Sequence, residues 1–180
     1  MPTIVPFDAV PPALHEELLD ACFGADRTSR TAYRIREGLD RLAGLSFAAL
    51  DDEDFLAGTI ELWPVSLTDE DGRQYPLLMV GPVAVAPSRQ NEGYGRALMA
   101  AALGAVEGMA SAEAPALPQV LIGDPEYYAK WDFIAAPTAQ WDTPGPVERH
   151  RLLVRCANPA VLPRKGMLGP WRQGDDRVAE

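Results

Sequence analysis

The sequence predicts one α/β (α+β) domain: a single mixed β-sheet with helices on its faces. Three observations carry this. Residues 77–86 (LLMVGPVAVA) form the most apolar stretch of the chain. It has no polar alternation, which marks a strand covered on both faces. Residues 93–108 place Leu98, Ala101, Ala102, Ala105 and then Met109 at helical spacing, one apolar stripe along an alanine-rich helix. The other strand-like and helix-like segments mix without strict alternation, which favours one sheet with helices packed on it.

The elements follow in order. Residues 4–7 read as a short first strand. Pro11 and Pro12 suit a helix start, and Leu14, Leu18, Leu19, Cys22 and Phe23 keep helical spacing as far as Gly24. Residues 27–42 are rich in Arg, with Tyr33, Ile35, Leu39 and Leu42 interspersed, and predict a second helix. Residues 45–50 and 55–63 predict two strands joined by Asp51-Asp52-Glu53-Asp54, read as a solvated hairpin tip. Residues 66–74 are polar, contain Asp71-Gly72 and predict a loop.

Within 77–86, Gly81-Pro82 conflicts with a regular central strand, because proline donates nothing to a ladder. A central but distorted strand resolves the conflict. Its bulge would splay it from one neighbour and leave backbone groups for a ligand. Residues 111–118 predict a small-residue loop and 119–122 a short strand. Asp124-Pro125-Glu126 has the pattern of an N-cap, a first-turn proline and an early acid, opening a helix to about residue 131. Along 149–156, His150, Leu152, Val154 and Cys156 share one face and Arg149, Arg151 and Arg155 the other, a half-exposed strand. Residues 157–180, polar with Pro and Gly, are expected to wrap the surface or fray as an extension beyond a domain at 1–156.

Composition narrows the function. The chain has 180 residues, 47% hydrophobic and 23% charged, an ordinary globular balance. The formal net charge of -10 argues against general binding to nucleic acid or to an anionic membrane. A small anion held locally by backbone N–H groups is still allowed. No apolar run approaches the ~20 residues of a membrane span, and the N-terminus has no basic n-region or long h-region. A cytoplasmic protein is therefore expected. Cys22 and Cys156 are too few for a disulfide framework or a zinc site, and His15 and His150 are not spaced as a metal pair, so no metal is expected. No Gly-x-Ser-x-Gly turn signals a serine nucleophile.

The segment that carries chemistry is Val83-Ala84-Val85-Ala86-Pro87-Ser88-Arg89-Gln90-Asn91-Glu92-Gly93-Tyr94-Gly95-Arg96-Ala97-Leu98. A buried strand ends, a loop turns, and a long helix begins at two glycines. The first turn of a helix has N–H groups without internal partners and the positive end of the dipole. Glycines there let a phosphate approach the backbone. Arg89 and Arg96 flank the turn. Leu98 stands where a dinucleotide fingerprint wants a third small residue, and no Walker loop occurs. Gly-x-Gly taken alone is equally met by a tight strand-to-helix turn.

The whole pattern is more specific. Gln90-Asn91-Glu92-Gly93-Tyr94-Gly95, preceded by Val83-Ala84-Val85-x-Pro87 and followed by Arg96-Ala97-Leu98, resembles the acyl-CoA motif Gln/Arg-x-x-Gly-x-Gly/Ala of the GNAT N-acetyltransferases. Residues 120–133 (VLIGDPEYYAKWDF) resemble the family's later strand and helix, with Asp132 where a glycine is common. The resemblance spans about residues 3–156. It implies a twisted mixed sheet whose central strands splay, with acetyl-CoA as co-substrate. Its pyrophosphate would lie on the N–H groups of Asn91, Glu92, Gly93, Tyr94, Gly95 and Arg96, next to Arg89 and Gln90, and its pantetheine amides would pair with Val83, Ala84 and Val85.

The resemblance further implies direct attack of a primary amine on the thioester, with Tyr128 as the acid that protonates the thiolate. A base is also needed. Glu61 is the candidate: it shares a strand face with Phe55, Thr59 and Trp63, where apolar neighbours would favour a proton acceptor. A solvent-facing Glu on a half-exposed strand is the alternative. Tyr127 and Tyr128 face about 100° apart on a helix, so only one easily points at a given site. A small-molecule or peptide amine is the expected acceptor, and a homodimer is compatible with the sequence. The rival readings are a non-catalytic CoA-binding or regulatory domain on the same scaffold, and transfer to a protein amine rather than a small molecule.

Overall fold

A computed structural model describes residues 1–172. Its regular elements are β1 (Thr3–Pro6), α1 (Pro12–Phe23), α2 (Thr31–Ile35), β2 (Phe47–Leu50), β3 (Leu56–Thr68), β4 (Gln74–Val85), α3 (Tyr94–Gly108), β5 (Gln119–Ile122), α4 (Pro125–Tyr128), β6 (Gln140–Asp142), β7 (Leu152–Arg155) and β8 (Lys165–Pro170). The strands form one open mixed sheet of eight strands flanked by helices, the class expected from the sequence. The chain divides into two compact units, and β3 and β4 each contribute a part to both.

The first unit holds Met1–Arg30, Asp40–Trp63 and Met79–Leu117. In it β1 pairs antiparallel with β2, Thr3 opposite Leu50 and Pro6 opposite Phe47, and β2 pairs antiparallel with β3. Pro12 opens α1 and Gly24, at φ 90°, stops it, as its position after the periodic segment predicts. Leu18 and Leu19 of α1 pack on Ala84 near the end of β4. Helix α3 lies on β1 and β2 and buries Leu98, Met99, Ala102, Leu103 and Val106. Each fully buried Leu stabilises by about 1.5–3 kcal/mol.

The second unit holds Thr31–Leu39, Pro64–Leu78 and the chain from Pro118 onward. Here β5 pairs antiparallel with β7, β8 pairs antiparallel with Val65–Thr68 of β3, and β6 pairs parallel with β8. Trp141 and Phe133 are its largest fully buried side chains.

Several sequence expectations are corrected. Residues 27–42 form only a 3-10 turn and the five-residue α2, because Arg-rich spacing without a continuous apolar face cannot hold a long helix on a core. Strand β3 runs on to Thr68 and β4 starts at Gln74, so most of 66–74 is hairpin, its turn closed by Asp69, whose Oδ1 accepts from Asp71 N and Arg73 N. On α1, His15 is buried where Leu14 was expected, and on α3, Met109 is exposed and Met99 and Leu103 complete the stripe.

Leu152, Leu153 and Val154 are all buried, so β7 is covered on both faces instead of half-exposed. Strand β6 had no sequence signal. Lys165–Pro170 is a strand with Leu168 buried, since pairing with β3 and β6 outweighs its Gly and Pro content. Residues 173–180 lie outside the described residues. Among the described residues no helix is long and apolar enough to cross a membrane.

Candidate functional site

The first unit carries the loop between β4 and α3. Ala86 N donates to Ala57 O at 2.7 Å, and Pro87–Arg89 form one 3-10 turn. The backbone then takes two left-handed steps, at Asn91 (φ 65°) and Gly93 (φ 91°). Gly93 is the N-cap of α3 and has no side chain with which to cap it. The first-turn N–H groups are thus left to face an external acceptor, at the positive end of a 15-residue helix. A Cβ on Gly93 would meet nothing within 4 Å, so backbone conformation, not crowding, requires glycine there. Gln90, Asn91, Glu92, Gly93 and Arg96 are exposed, while Tyr94 buries its ring and presents only its main chain.

Strand β4 leads into this loop. Gly81-Pro82 is a cis peptide, and the Trp63 indole Nε1 donates to Gly81 O at 2.9 Å. Val83 and Val85 are half-buried and Ala84 is buried. The Val85 carbonyl accepts from the Cys22 thiol at 3.2 Å, and burial pushes that thiol's pKa up. Gly58 on β3 allows this approach: a Cβ there would lie 2.8 Å from Ala84 O and 2.9 Å from Leu98 Cδ1.

Glu61 is not solvent-facing. It is 3% exposed, and its Oε1 accepts from Arg41 Nε at 2.9 Å. Its Oε2 is buried with no hydrogen-bond partner in the protein. The Arg41 guanidinium lies 4.2 Å over the Phe7 ring and 5.8 Å over that of Trp63. His15 stacks on Phe7 at 3.7 Å and donates from Nε2 to Phe7 O at 2.9 Å. Burial lowers the His15 pKa, outweighing that hydrogen bond and the nearby Glu61 charge, both of which raise it. The result is a buried carboxylate with one oxygen held by Arg41 and the other with spare acceptor capacity. Arg41 and His15 gave no motif in the sequence; only the fold brings them to Glu61.

Arg89 is half-buried, and its Nη2 donates to Asp51 Oδ2 at 2.7 Å. Asp51 is 5% exposed, although the sequence reading placed it in a solvated hairpin tip. Its Oδ1 accepts from Glu53 N and Phe55 N, an Asx-type turn that draws the carboxylate inward.

Tyr128 belongs to the second unit. The Asp124 side chain caps α4 by accepting from Glu126 N at 3.0 Å, as the Asp-Pro-Glu pattern predicts. The Tyr128 ring meets Tyr127 edge-on at 4.9 Å and Phe133 at 6.1 Å. Burial, ahead of the neighbouring Tyr127, pushes its phenol up to about 12. Tyr127 is 39% exposed, with the Lys130 ammonium 4.1 Å from its ring. Asp132 takes the left-handed turn (φ 65°) that a glycine would take more cheaply.

A family model described as "Acetyltransferase (GNAT) domain" matches residues 15–118. The chain belongs to the GNAT acetyltransferase family. The GNAT match runs from within α1 past the end of α3 and therefore covers the whole β4–α3 loop. Among solved structures, a GNAT family N-acetyltransferase (YhbS) from Escherichia coli in complex with CoA superposes with a TM-score of 0.67 at 21% identity, over 97% of this chain and 93% of that one. A GNAT family acetyltransferase from Brucella melitensis in complex with acetyl-CoA gives 0.52 at 23% identity, over 87% and 97%. At these identities the likeness shows a shared GNAT fold. No curated protein matches the chain. Among the described residues no group of His, Cys, Asp and Glu is arranged to hold a metal ion.

Proposed function

We propose that the protein transfers an acetyl group from acetyl-CoA to a primary amine by direct attack of the amine on the thioester. The observation that carries this is the uncapped first turn of α3, entered through the left-handed Asn91 and Gly93. Its N–H groups, from about Asn91 to Arg96, suit a pyrophosphate, with Gln90 and Glu92 on the exposed loop beside them. The backbone of Val83, Ala84 and Val85, at the end of β4, is proposed to pair with the amides of an extended pantetheine arm. Arg96 is exposed at the same turn and adds positive charge.

The chemistry requires little covalent help. The ammonium group loses a proton to become the free amine, and its nitrogen forms a bond to the thioester carbon. The C–S bond breaks as nitrogen releases a second proton and the thiolate takes one up, leaving an amide and a thiol. Glu61 is proposed as the proton acceptor, directly or through a water. Arg41 fixes the carboxylate through Oε1, which leaves Oε2 for the ammonium proton. Tyr128 is proposed as the acid. Its buried phenol is protonated at neutral pH, the state needed to donate a hydrogen bond to developing negative charge on sulfur. A thiolate in a dry site is itself more basic than the usual ~8.5, which narrows the gap for proton transfer.

The acceptor is proposed to be a small-molecule or peptide amine, and a cation suits the chain's acidic balance. The test is release of free thiol from acetyl-CoA across a panel of amines. Amine-dependent release supports the reading. Cofactor binding without release from any amine would instead support a non-catalytic CoA-binding domain.

A further inference from the structure

We propose that Asp51 and Arg89 act as a strut that holds the β4–α3 loop in its anion-binding shape, so that Arg89 serves the cofactor by positioning backbone and not as a phosphate ligand. The inference rests on the cofactor reading above and adds two positioning residues to it.

Three features support it. Asp51 is nearly fully buried, and both of its oxygens are in use: Oδ1 on Glu53 N and Phe55 N, Oδ2 on Arg89 Nη2. A buried carboxylate left without its cation is costly, so this pair is not readily given up for a ligand. Arg89 is also tied through its main chain, donating from its N–H to Ala86 O at 2.8 Å. It sits two residues before the left-handed Asn91 and four before Gly93, where the loop is least favourable as free backbone. A second Arg89 nitrogen, Nη1, leans toward the Glu92 carboxylate at 3.9 Å. Its guanidinium therefore already faces two carboxylates, whereas Arg96 at the same turn is exposed.

The experiment uses the full chain and the variants Asp51→Asn, Arg89→Met and the double variant, each checked by circular dichroism. Amide hydrogen exchange of residues 90–95 is read without ligand, and the acetyl-CoA dissociation constant and saturated turnover are read with it. The strut predicts faster exchange at 90–95 in either single variant. It also predicts about tenfold weaker acetyl-CoA binding in both, with a double variant no worse and saturated turnover within about twofold of wild type.

Unchanged exchange in both variants overturns the strut. So does an Asp51→Asn protein that binds acetyl-CoA as tightly as wild type or more tightly while Arg89→Met loses binding, since that pattern makes Arg89 the ligand and Asp51 its competitor. A wild-type protein that does not bind acetyl-CoA sinks the cofactor reading, and the ligand-free exchange data separate that failure from failure of the strut itself.

Discussion

Gly123 makes the space in which Tyr128 lies: a Cβ at position 123 would sit 2.9 Å from Cδ2 of the Tyr128 ring and closer still to Cε2. The glycine at the end of β5 thus fixes where the phenol of α4 rests. If Tyr128 is the acid, Tyr128→Phe lowers turnover by about 10²-fold, within the usual range for one proton-transfer group, and leaves acetyl-CoA affinity unchanged. Gly123→Ala displaces the ring and lowers turnover in the same direction, and adding it to Tyr128→Phe costs little more. Steady-state kinetics of the three variants check this. Full activity in Tyr128→Phe removes the residue from the chemistry.

The buried phenol has a titration signature. With its folded-state value raised to about 12 against an ordinary ~10, Tyr128 stays protonated while the unfolded chain ionises. Its linkage with pH is flat below about pH 10, and stability falls as pH rises from there toward 12. Absorbance titration of the phenolates should show one late tyrosine that Tyr128→Phe removes. A wild-type titration with no late component contradicts the buried placement.

Asp51 gives the opposite dependence. The N–H of Phe55, then that of Glu53 and the Arg89 guanidinium, hold its carboxyl below the usual Asp range against the effect of burial. A depressed folded-state value contributes stability above the unfolded ~3.9 that is lost as pH falls through the folded value. Asp51→Asn is therefore expected to be less stable than wild type at pH 7, with the difference shrinking below about pH 4. Urea unfolding at the two pH values measures it. A gap that stays constant with pH would contradict the assignment.

Gly58 offers a packing test. Ala84 O and Leu98 Cδ1 leave no room for a Cβ, and the first of these is backbone that cannot rotate away. Gly58→Ala should destabilise by about 1–3 kcal/mol, as overpacking does, and should weaken acetyl-CoA binding because Ala84 lies on the strand proposed to pair with it. Thermal melts and binding titrations check the two effects. A variant as stable as wild type would show that β3 and β4 approach less closely.

Much of this was legible in the sequence where local chemistry decides structure. The Gly24 stop, the Asp124-Pro125-Glu126 cap and the Gly93 entry to α3 each need only neighbours within a few residues. The GNAT motif was legible for the same reason, since a phosphate cradle is one turn of backbone. Where the reading failed, distant pairing decided. Lys165–Pro170 becomes a strand only because β3 and β6 supply partners. Asp51 looks like one more acid in a surface turn until Arg89, 38 positions away, takes its second oxygen. Glu61 could be placed on a strand face, but its burial and its Arg41 partner depend on chain segments that spacing cannot bring together.

The most direct test of the central claim is calorimetric titration of acetyl-CoA into wild type and Gly93→Val. Wild type should bind and be stabilised, by about 2.7 kcal/mol at a hundred times the dissociation constant. Gly93→Val should stay folded and lose the binding, because a β-branched residue resists the φ of 91° that presents the loop's amides. Equal affinity in the two proteins, or no heat from wild type at millimolar acetyl-CoA, would contradict the account.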